Sequence, residues 1–121
     1  MRGRSRWTMV DAVKVNRRDP NGFPIPTEAE RFAIRVGMEA RIAFEDGEGG
    51  WDSIWLVVGE VRGNDAEHSY LGRVVDGSPY PDGPAAGVLI AFEPRHVSRI
   101  IDPIPDVIDL HTGLPVYRSI A

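Results

Sequence analysis

Residues 54–61 have the sequence Ile-Trp-Leu-Val-Val-Gly-Glu-Val, a β-branched and aromatic run that predicts the strongest strand of the chain. Its uninterrupted apolar start predicts burial on both faces of that strand. Gly63-Asn64-Asp65 is a turn signal, and the apolar members of residues 69–75 predict a returning strand. Together the two segments predict a β-hairpin at the centre of the fold.

Short strands and turn signals surround this hairpin. Apolar residues alternate over residues 32–44, which predicts strands with a bend at Gly37-Met38, and residues 88–92 and 96–101 predict two more. Residues 76–87 carry too many glycines and prolines for a regular element and predict a loop. We therefore expect an all-β fold with minor helix, a small open barrel of about five to seven strands.

The chain ends predict extensions to this barrel. Residues 7–15 fit a strand or a short helical stretch, and their alternation favours the strand. Three prolines and an Asn-Gly pair in residues 17–26 predict an extended connection. Thr27 is a candidate N-cap with Glu30 at the capping-box position, which predicts one helical turn.

We accordingly divide the chain into an N-terminal extension (1–35), a barrel core (36–101) and a proline-spaced apolar C-terminal tail (102–121). The tail is apolar enough to pack on the domain, on a partner or on a second copy of the chain. A homo-oligomer formed through this tail is therefore one of the expectations.

Composition excludes several classes of protein. The 18 acidic and 14 basic residues give a net charge of −4, which leaves no global field to attract nucleic acid. The absence of cysteine excludes disulfides, thiolate catalysis and cysteine-based zinc sites. No apolar run is long enough for a membrane span or a signal peptide, so we expect a cytoplasmic protein without a membrane partner. Thirteen of the basic residues are arginine, which is typical of a GC-rich genome such as an actinobacterium or one of its phages.

The sequence shows no pattern of catalytic or metal-binding residues. No Gly-x-Ser-x-Gly elbow is present, and the histidines at 68, 96 and 111 are scattered along the chain. Glu93-x-x-His96 contains Pro94, which disfavours the helix that would bring both side chains onto one face. We expect no enzyme activity, no metal and no cofactor.

Residues 45–50 form an acidic loop, and we expect that none of its side chains orders it. The aromatic and acidic residues around this loop allow two interpretations. In the first, Trp55 lies in the core and Trp51 caps the end of the barrel. In the second, exposed aromatic side chains rimmed by carboxylates form a recognition surface that suits a basic partner. The candidate residues of that surface are Glu45, Asp46, Glu48, Trp51, Asp52, Tyr70, Tyr80 and Asp82.

Four segments resemble the motifs of one protein family. Residues 53–61 hold a tryptophan where the family has Met-Trp-Val, residues 72–79 look like its Gly-x-Leu-x-Asn-x-Pro block, and Phe92-Glu93-Pro94-Arg95-His96-Val97 matches its closing Phe-x-Pro-x-His-Ile/Val. Upstream, residues 36–44 are similar to its Val-Gly-Asp-x-Val-Lys-Leu-x-Phe.

The family is a bacterial and phage domain of unknown function that occurs in some immunity proteins of polymorphic toxin systems. Met38 and Val88 stand where the family often has Asp after Gly, so both turns are expected to differ. The resemblance covers about half of the chain. It implies an SH3-like β-barrel and a binding role, and it implies no catalytic residue.

The leading hypothesis is a non-enzymatic protein-interaction module, of the immunity type or a phage accessory protein, that binds a toxin or host protein. The alternative is a small barrel associated with nucleic acid, which would place Arg2, Arg4, Arg6, Arg17 and Arg18 on phosphates. Binding that weakens steeply with salt distinguishes the alternative from the leading hypothesis.

Overall fold

The computed structural model describes residues 7–63, 67–80, 82–108, 111 and 115–120. Its strands are β1 (Thr8–Met9), β2 (Glu39–Glu45), β3 (Trp51–Gly63), β4 (His68–Val74), β5 (Leu89–Phe92), β6 (Val97–Ile108) and β7 (Pro115–Ile120). Its helices are α1 (Ala12–Arg18), α2 (Glu28–Arg31) and a 3₁₀ turn (Pro94–His96). No helix in these ranges has the length and apolar character needed to cross a bilayer.

The described strands form a single antiparallel sheet in the order β5-β4-β3-β2-β6-β7, and β1 pairs with the end of β2. The sheet curls into a half-barrel, which confirms the prediction of a small open all-β barrel with few helices. The β3–β4 hairpin lies at its centre as predicted, with Leu56 opposite Val74 and Gly63 opposite His68.

The core lies on the concave face of this sheet. Side chains alternate along β3, so Ile54, Leu56 and Val58 point inward and are buried. On the other face Trp55 is half-buried and Val57 is 38% exposed. The prediction of burial on both faces is therefore wrong, because an antiparallel sheet needs only one covered face.

The strand favoured for residues 7–15 is wrong beyond Thr8–Met9, because Asp11 starts a helix there. Asp11 is the N-cap of α1, and its Oδ1 accepts a hydrogen bond of 3.1 Å from the N–H of Lys14. Ala12 is buried on the inner side of the helix. The cap and this packing outweigh the β propensity of the valines.

The capping box predicted at Thr27 is confirmed. Thr27 Oγ1 accepts from the N–H of Glu30 at 3.2 Å, and Glu30 Oε1 accepts from the N–H of Thr27 at 2.8 Å. This single turn forms α2 and ends in the buried Arg31.

The strand predicted over residues 32–36 does not form, although Ile34 is buried there as the alternation implies. The chain turns at Gly37, whose φ of 96° is accessible to glycine at little cost. Regular pairing begins only at Glu39, which lies opposite Val57 of β3 and Ile101 of β6.

Strand β6 continues through the boundary predicted between residues 101 and 102. Its pairing with β2 ends at Ile101, and beyond that point it pairs with β7, with Pro103 opposite Tyr117. Proline lacks the N–H that a central strand must donate, so a segment paired on one side tolerates it. The backbone of the predicted tail thus extends the chain's own sheet.

The 3₁₀ turn that follows β5 buries His96. Its Nδ1 accepts a hydrogen bond of 2.9 Å from the N–H of Glu93. Burial lowers the pKa of His96 and the nearby Arg95 cation lowers it further, against the opposing effect of Glu93 and Asp11. His96 is therefore held as a neutral acceptor.

We expect the free energy of unfolding to fall as the pH drops below the ordinary histidine value of 6.5. In that range the unfolded chain binds a proton that folded His96 excludes, whereas above pH 6.5 its contribution is fully present. Denaturant titrations between about pH 7.5 and about pH 5.5 measure this, with a limiting slope of about 1.4 kcal/mol per pH unit.

The matched variant is His96→Asn, which keeps an acceptor near the Nδ1 position but does not titrate. His96→Asn should flatten the pH profile over this range. Parallel profiles for the wild type and His96→Asn would contradict the assignment.

Candidate functional site

A groove of about 780 Å³ separates the helices and the 3₁₀ turn from the end of the β3–β4 hairpin. Its volume is in the range of small-molecule and peptide pockets. One wall carries Lys14 and Arg17 of α1, and the opposite wall carries Arg62 and His68 of the hairpin. The segments that meet here are far apart in sequence, so no single stretch of sequence contains the whole groove.

Arg31 is the most buried cation of the groove, with 8% of its surface exposed. Its Nε donates to the carbonyl of Pro26 at 3.1 Å and its Nη1 donates to the carbonyl of Pro94 at 3.3 Å. The guanidinium therefore joins the connection before α2 to the 3₁₀ turn. Among the described residues it has no carboxylate partner within 4 Å.

A row of four rings runs from the groove into the core. Phe32, which is 40% exposed, lies 5.7 Å from the ring of His68, and His68 lies 5.1 Å edge-on from Tyr70. Tyr70 in turn lies 5.3 Å from Phe92. Such ring pairs add stability beyond their buried area, so the exposed ring at the groove has a rigid support.

Two of the carboxylates in the groove are already engaged. Arg95 contacts Glu93 at 3.1 Å and Asp11 at 3.2 Å. Burial acts to raise the pKa of Asp11, but the N–H of Lys14 and the Arg95 guanidinium outweigh it, and the pKa is lowered. This cluster ties α1 to the 3₁₀ turn.

The second candidate site is the β2–β3 hairpin, which carries most of the predicted recognition residues. Asp46 Oδ1 accepts from the N–H groups of Glu48 and Gly50, each at 2.8 Å, and the N–H of Asp46 donates to the carbonyl of Gly50. The expectation that no side chain orders this loop is therefore wrong. The Oδ1 atom of Asp46 therefore stabilises the turn through hydrogen bonds to its backbone.

Trp51 stands on the outer face of this hairpin with 44% of its surface exposed. Glu45, also exposed, lies directly opposite it in the β2–β3 register. Phe23 meets the Trp51 ring edge-on at 6.3 Å. We call Phe23, Glu45, Glu48 and Trp51 the Trp51 face.

The other predicted residues lie apart from the Trp51 face. Tyr80 is 43% exposed and lies 5.0 Å from the ring of Trp7, whose Nε1 donates to Asp82 at 2.9 Å. Trp7 packs against the core, so this pair closes over the inner side of the sheet. Asp52 follows Trp51 on β3 and is half-buried, with its Oδ2 buried and lacking a hydrogen-bond partner.

Tyr70 is not part of the exposed surface that the sequence predicted for it. Its side chain is fully buried and its hydroxyl donates to the carbonyl of Arg31 at 2.8 Å. The exposure predicted for Tyr70 is wrong, because its position on β4 faces the core and not the solvent.

The arginines of the nucleic-acid alternative fall into two groups. Arg2, Arg4 and Arg6 lie outside the described residues, whereas Arg17 and Arg18 are exposed in the last turn of α1. Only Arg17 lines the groove.

Sequence reasoning missed the groove residues Arg31, Phe32 and His68. The one local signal was the capping box at Thr27, which predicts the turn that presents Arg31 and Phe32. Among the described residues, no three metal-ligating side chains converge. No family model, no curated protein and no solved structure matches this chain.

Proposed function

We propose that this chain is a cytoplasmic protein-interaction module whose Trp51 face binds a basic segment of a partner protein. The observation that carries the proposal is the pairing of an exposed indole with an exposed carboxylate: Trp51 and Glu45 are direct cross-strand neighbours. Side chains in such positions have Cβ atoms about 5 Å apart. An arginine or lysine can therefore contact the ring and the carboxylate together.

The electrostatics of the hairpin favour this occupant. A cation over an indole gains about 0.5–1 kcal/mol at an exposed site and more when desolvated. The carboxylate of Glu45 makes no ion pair with the described residues, so it is available to a cation from outside. The chain's net charge of −4 also attracts a basic partner.

The Trp51 face is organised before binding. Asp46 holds the loop, and the edge of Phe23 restricts the Trp51 ring. Preorganisation lowers the entropic cost of binding. A hairpin built in this way supports a recognition role better than a flexible acidic loop would.

The class of partner follows from the resemblance described above. Residues 53–61 form most of β3, and residues 92–97 lead from β5 through the 3₁₀ turn into β6. In a domain of the immunity type, or in a phage accessory protein, such a scaffold would present loops to a toxin or host protein. A chain without cysteine is compatible with the cytoplasm.

We expect Trp51→Ala to weaken binding of basic peptides at least about ten-fold, because truncating a central aromatic anchor commonly costs 2 kcal/mol or more. A displayed library of random peptides selected on the immobilised chain should be enriched in arginine and lysine. Binding constants for the selected peptides, measured by calorimetry, test both statements.

The controls are Glu45→Gln and Val36→Ala. Glu45→Gln should weaken binding about three-fold and reduce its salt dependence. Val36, which is 64% exposed and lies before β2, is outside the Trp51 face, so Val36→Ala should bind like the wild type. Enrichment of acidic or uncharged peptides would refute the proposal.

The same preparation tests the nucleic-acid alternative. Arg17 and Arg18 are exposed side by side, and a DNA oligonucleotide bound through them should be released steeply as salt rises. Binding of this kind that survives Trp51→Ala would favour the alternative over the proposal.

A further inference from the structure

We infer that the groove between α1, α2 and the β3–β4 hairpin binds a carboxylate group attached to an aromatic or apolar body. Arg31 would receive the carboxylate and Phe32 would pack against the body. Trp51 does not line this groove, so the inference is independent of the proposed function.

The first step is the unfinished hydrogen bonding of Arg31. A guanidinium has five N–H donors, and two of its three nitrogens are held here by the carbonyls of Pro26 and Pro94. Arginine stays charged at every physiological pH, and a buried charge without a counterion is costly. A carboxylate in the groove would supply both the missing acceptors and the missing charge.

The second step is the charge at the rim. Lys14 and Arg17 are one turn apart on α1, both are exposed, and neither has a carboxylate within 4 Å among the described residues. They add to the attraction of an anion toward Arg31.

The third step limits the ligand's charge. Five cationic side chains and four carboxylates line the groove, so the net charge of its lining is close to zero. Glu28 and Glu67 are among those carboxylates and would repel a highly charged anion. A singly charged carboxylate therefore fits better than a phosphate.

The fourth step is the apolar part of the site. Phe32 is 40% exposed at the groove, with Val13 and Pro94 also in the lining. His68 adds an unsatisfied polar atom, because its Nε2 is buried and has no hydrogen-bond partner. An exposed ring beside unsatisfied polar groups is typical of a binding pocket.

The test uses hydrocinnamate, phenethylamine and phenyl phosphate as probes of the intact chain. In an NMR titration, hydrocinnamate should shift the backbone amides of Phe32, His68 and Ser69, with a dissociation constant of about 0.1–1 mM for so small a ligand. Phenethylamine, which has the same ring and the opposite charge, should leave these amides unshifted.

Two neighbouring arginines give a matched pair of variants. Arg17→Gln should weaken hydrocinnamate binding about three- to five-fold, because it removes a rim charge. Arg18→Gln makes the same change one residue further along, outside the groove, and should alter binding less than about two-fold. Both positions are exposed, so neither variant should disturb folding.

Three results would overturn the inference: equal shifts with the amine and the acid, equal effects of Arg17→Gln and Arg18→Gln, or tighter binding of phenyl phosphate than of hydrocinnamate. A peptide ending in phenylalanine identifies the source of the carboxylate. If this peptide, with a free C-terminal carboxylate, binds more tightly than hydrocinnamate, the natural ligand is the C-terminus of a partner chain. If it binds more weakly, the natural ligand is a free small acid.

Discussion

Replacing Tyr70 with alanine is expected to lower the free energy of unfolding by about 3–5 kcal/mol, the range for removing a large aromatic side chain from a core. Tyr70 is fully buried between the rings of His68 and Phe92. The cavity would lie at the join between the sheet and α2, beside the carbonyl of Arg31 that the Tyr70 hydroxyl contacts. Equilibrium denaturation in urea measures the change.

Tyr70→Phe separates the ring from its hydroxyl. The hydroxyl donates to the carbonyl of Arg31, and burial raises the pKa of Tyr70 while an N–H from Ile34 opposes the rise, so the phenol remains a donor. Losing it should cost about 1–2 kcal/mol, since it leaves a buried carbonyl without this partner. A loss as large as that of Tyr70→Ala would show that the ring contributes little.

The same variant tests whether Tyr70 lies outside the surface that binds peptides. Tyr70→Phe should bind the basic peptides selected on the wild type with unchanged affinity, because its hydroxyl faces α2 and not the Trp51 face. A ten-fold loss of peptide affinity in a folded Tyr70→Phe variant would restore Tyr70 to the binding surface.

The strands were predictable wherever the apolar residues alternated and a turn signal marked the end of the same segment. The central hairpin is the best example, because its pattern points to β structure and Gly63 ends β3 with a φ of 87°. The Thr27 capping box was predictable for the same reason, since both of its hydrogen bonds are local. The prediction for residues 7–15 failed because their apolar alternation is compatible with a strand and with a short helix. The N-cap at Asp11 decides in favour of the helix.

The sites were less predictable than the fold, because exposure depends on which face of a strand is covered. Trp51 and Tyr70 both lie in strands beside polar residues, yet one is exposed and the other fully buried. The groove depends on a contact between Arg31 and Pro94, which are 63 positions apart in the sequence. A local sequence pattern cannot predict a contact over that separation.

The second large effect is expected at Gly72, in the middle of β4. A Cβ at this position would lie 2.9 Å from Cβ of Leu56 and 3.1 Å from a ring carbon of Phe92. Both neighbours are fully buried in the core, so neither can move away without displacing others. Gly72→Ala should therefore lower the free energy of unfolding by about 1–3 kcal/mol through overpacking.

Gly59, on the adjacent strand β3, is the matched control. A Cβ there would meet only the carbonyl oxygen of Leu71, at 3.9 Å, which is an ordinary contact. Gly59→Ala restricts the unfolded chain without a clash in the folded one, so it should be neutral or stabilising by up to about 1 kcal/mol. Equal destabilisation by both variants would contradict the prediction, because it would show that the close packing of Leu56 and Phe92 against Gly72 does not determine the effect. Opposite signs would show that the packing of Leu56 and Phe92 against Gly72 determines the effect, because a Cβ at Gly59 meets no side chain.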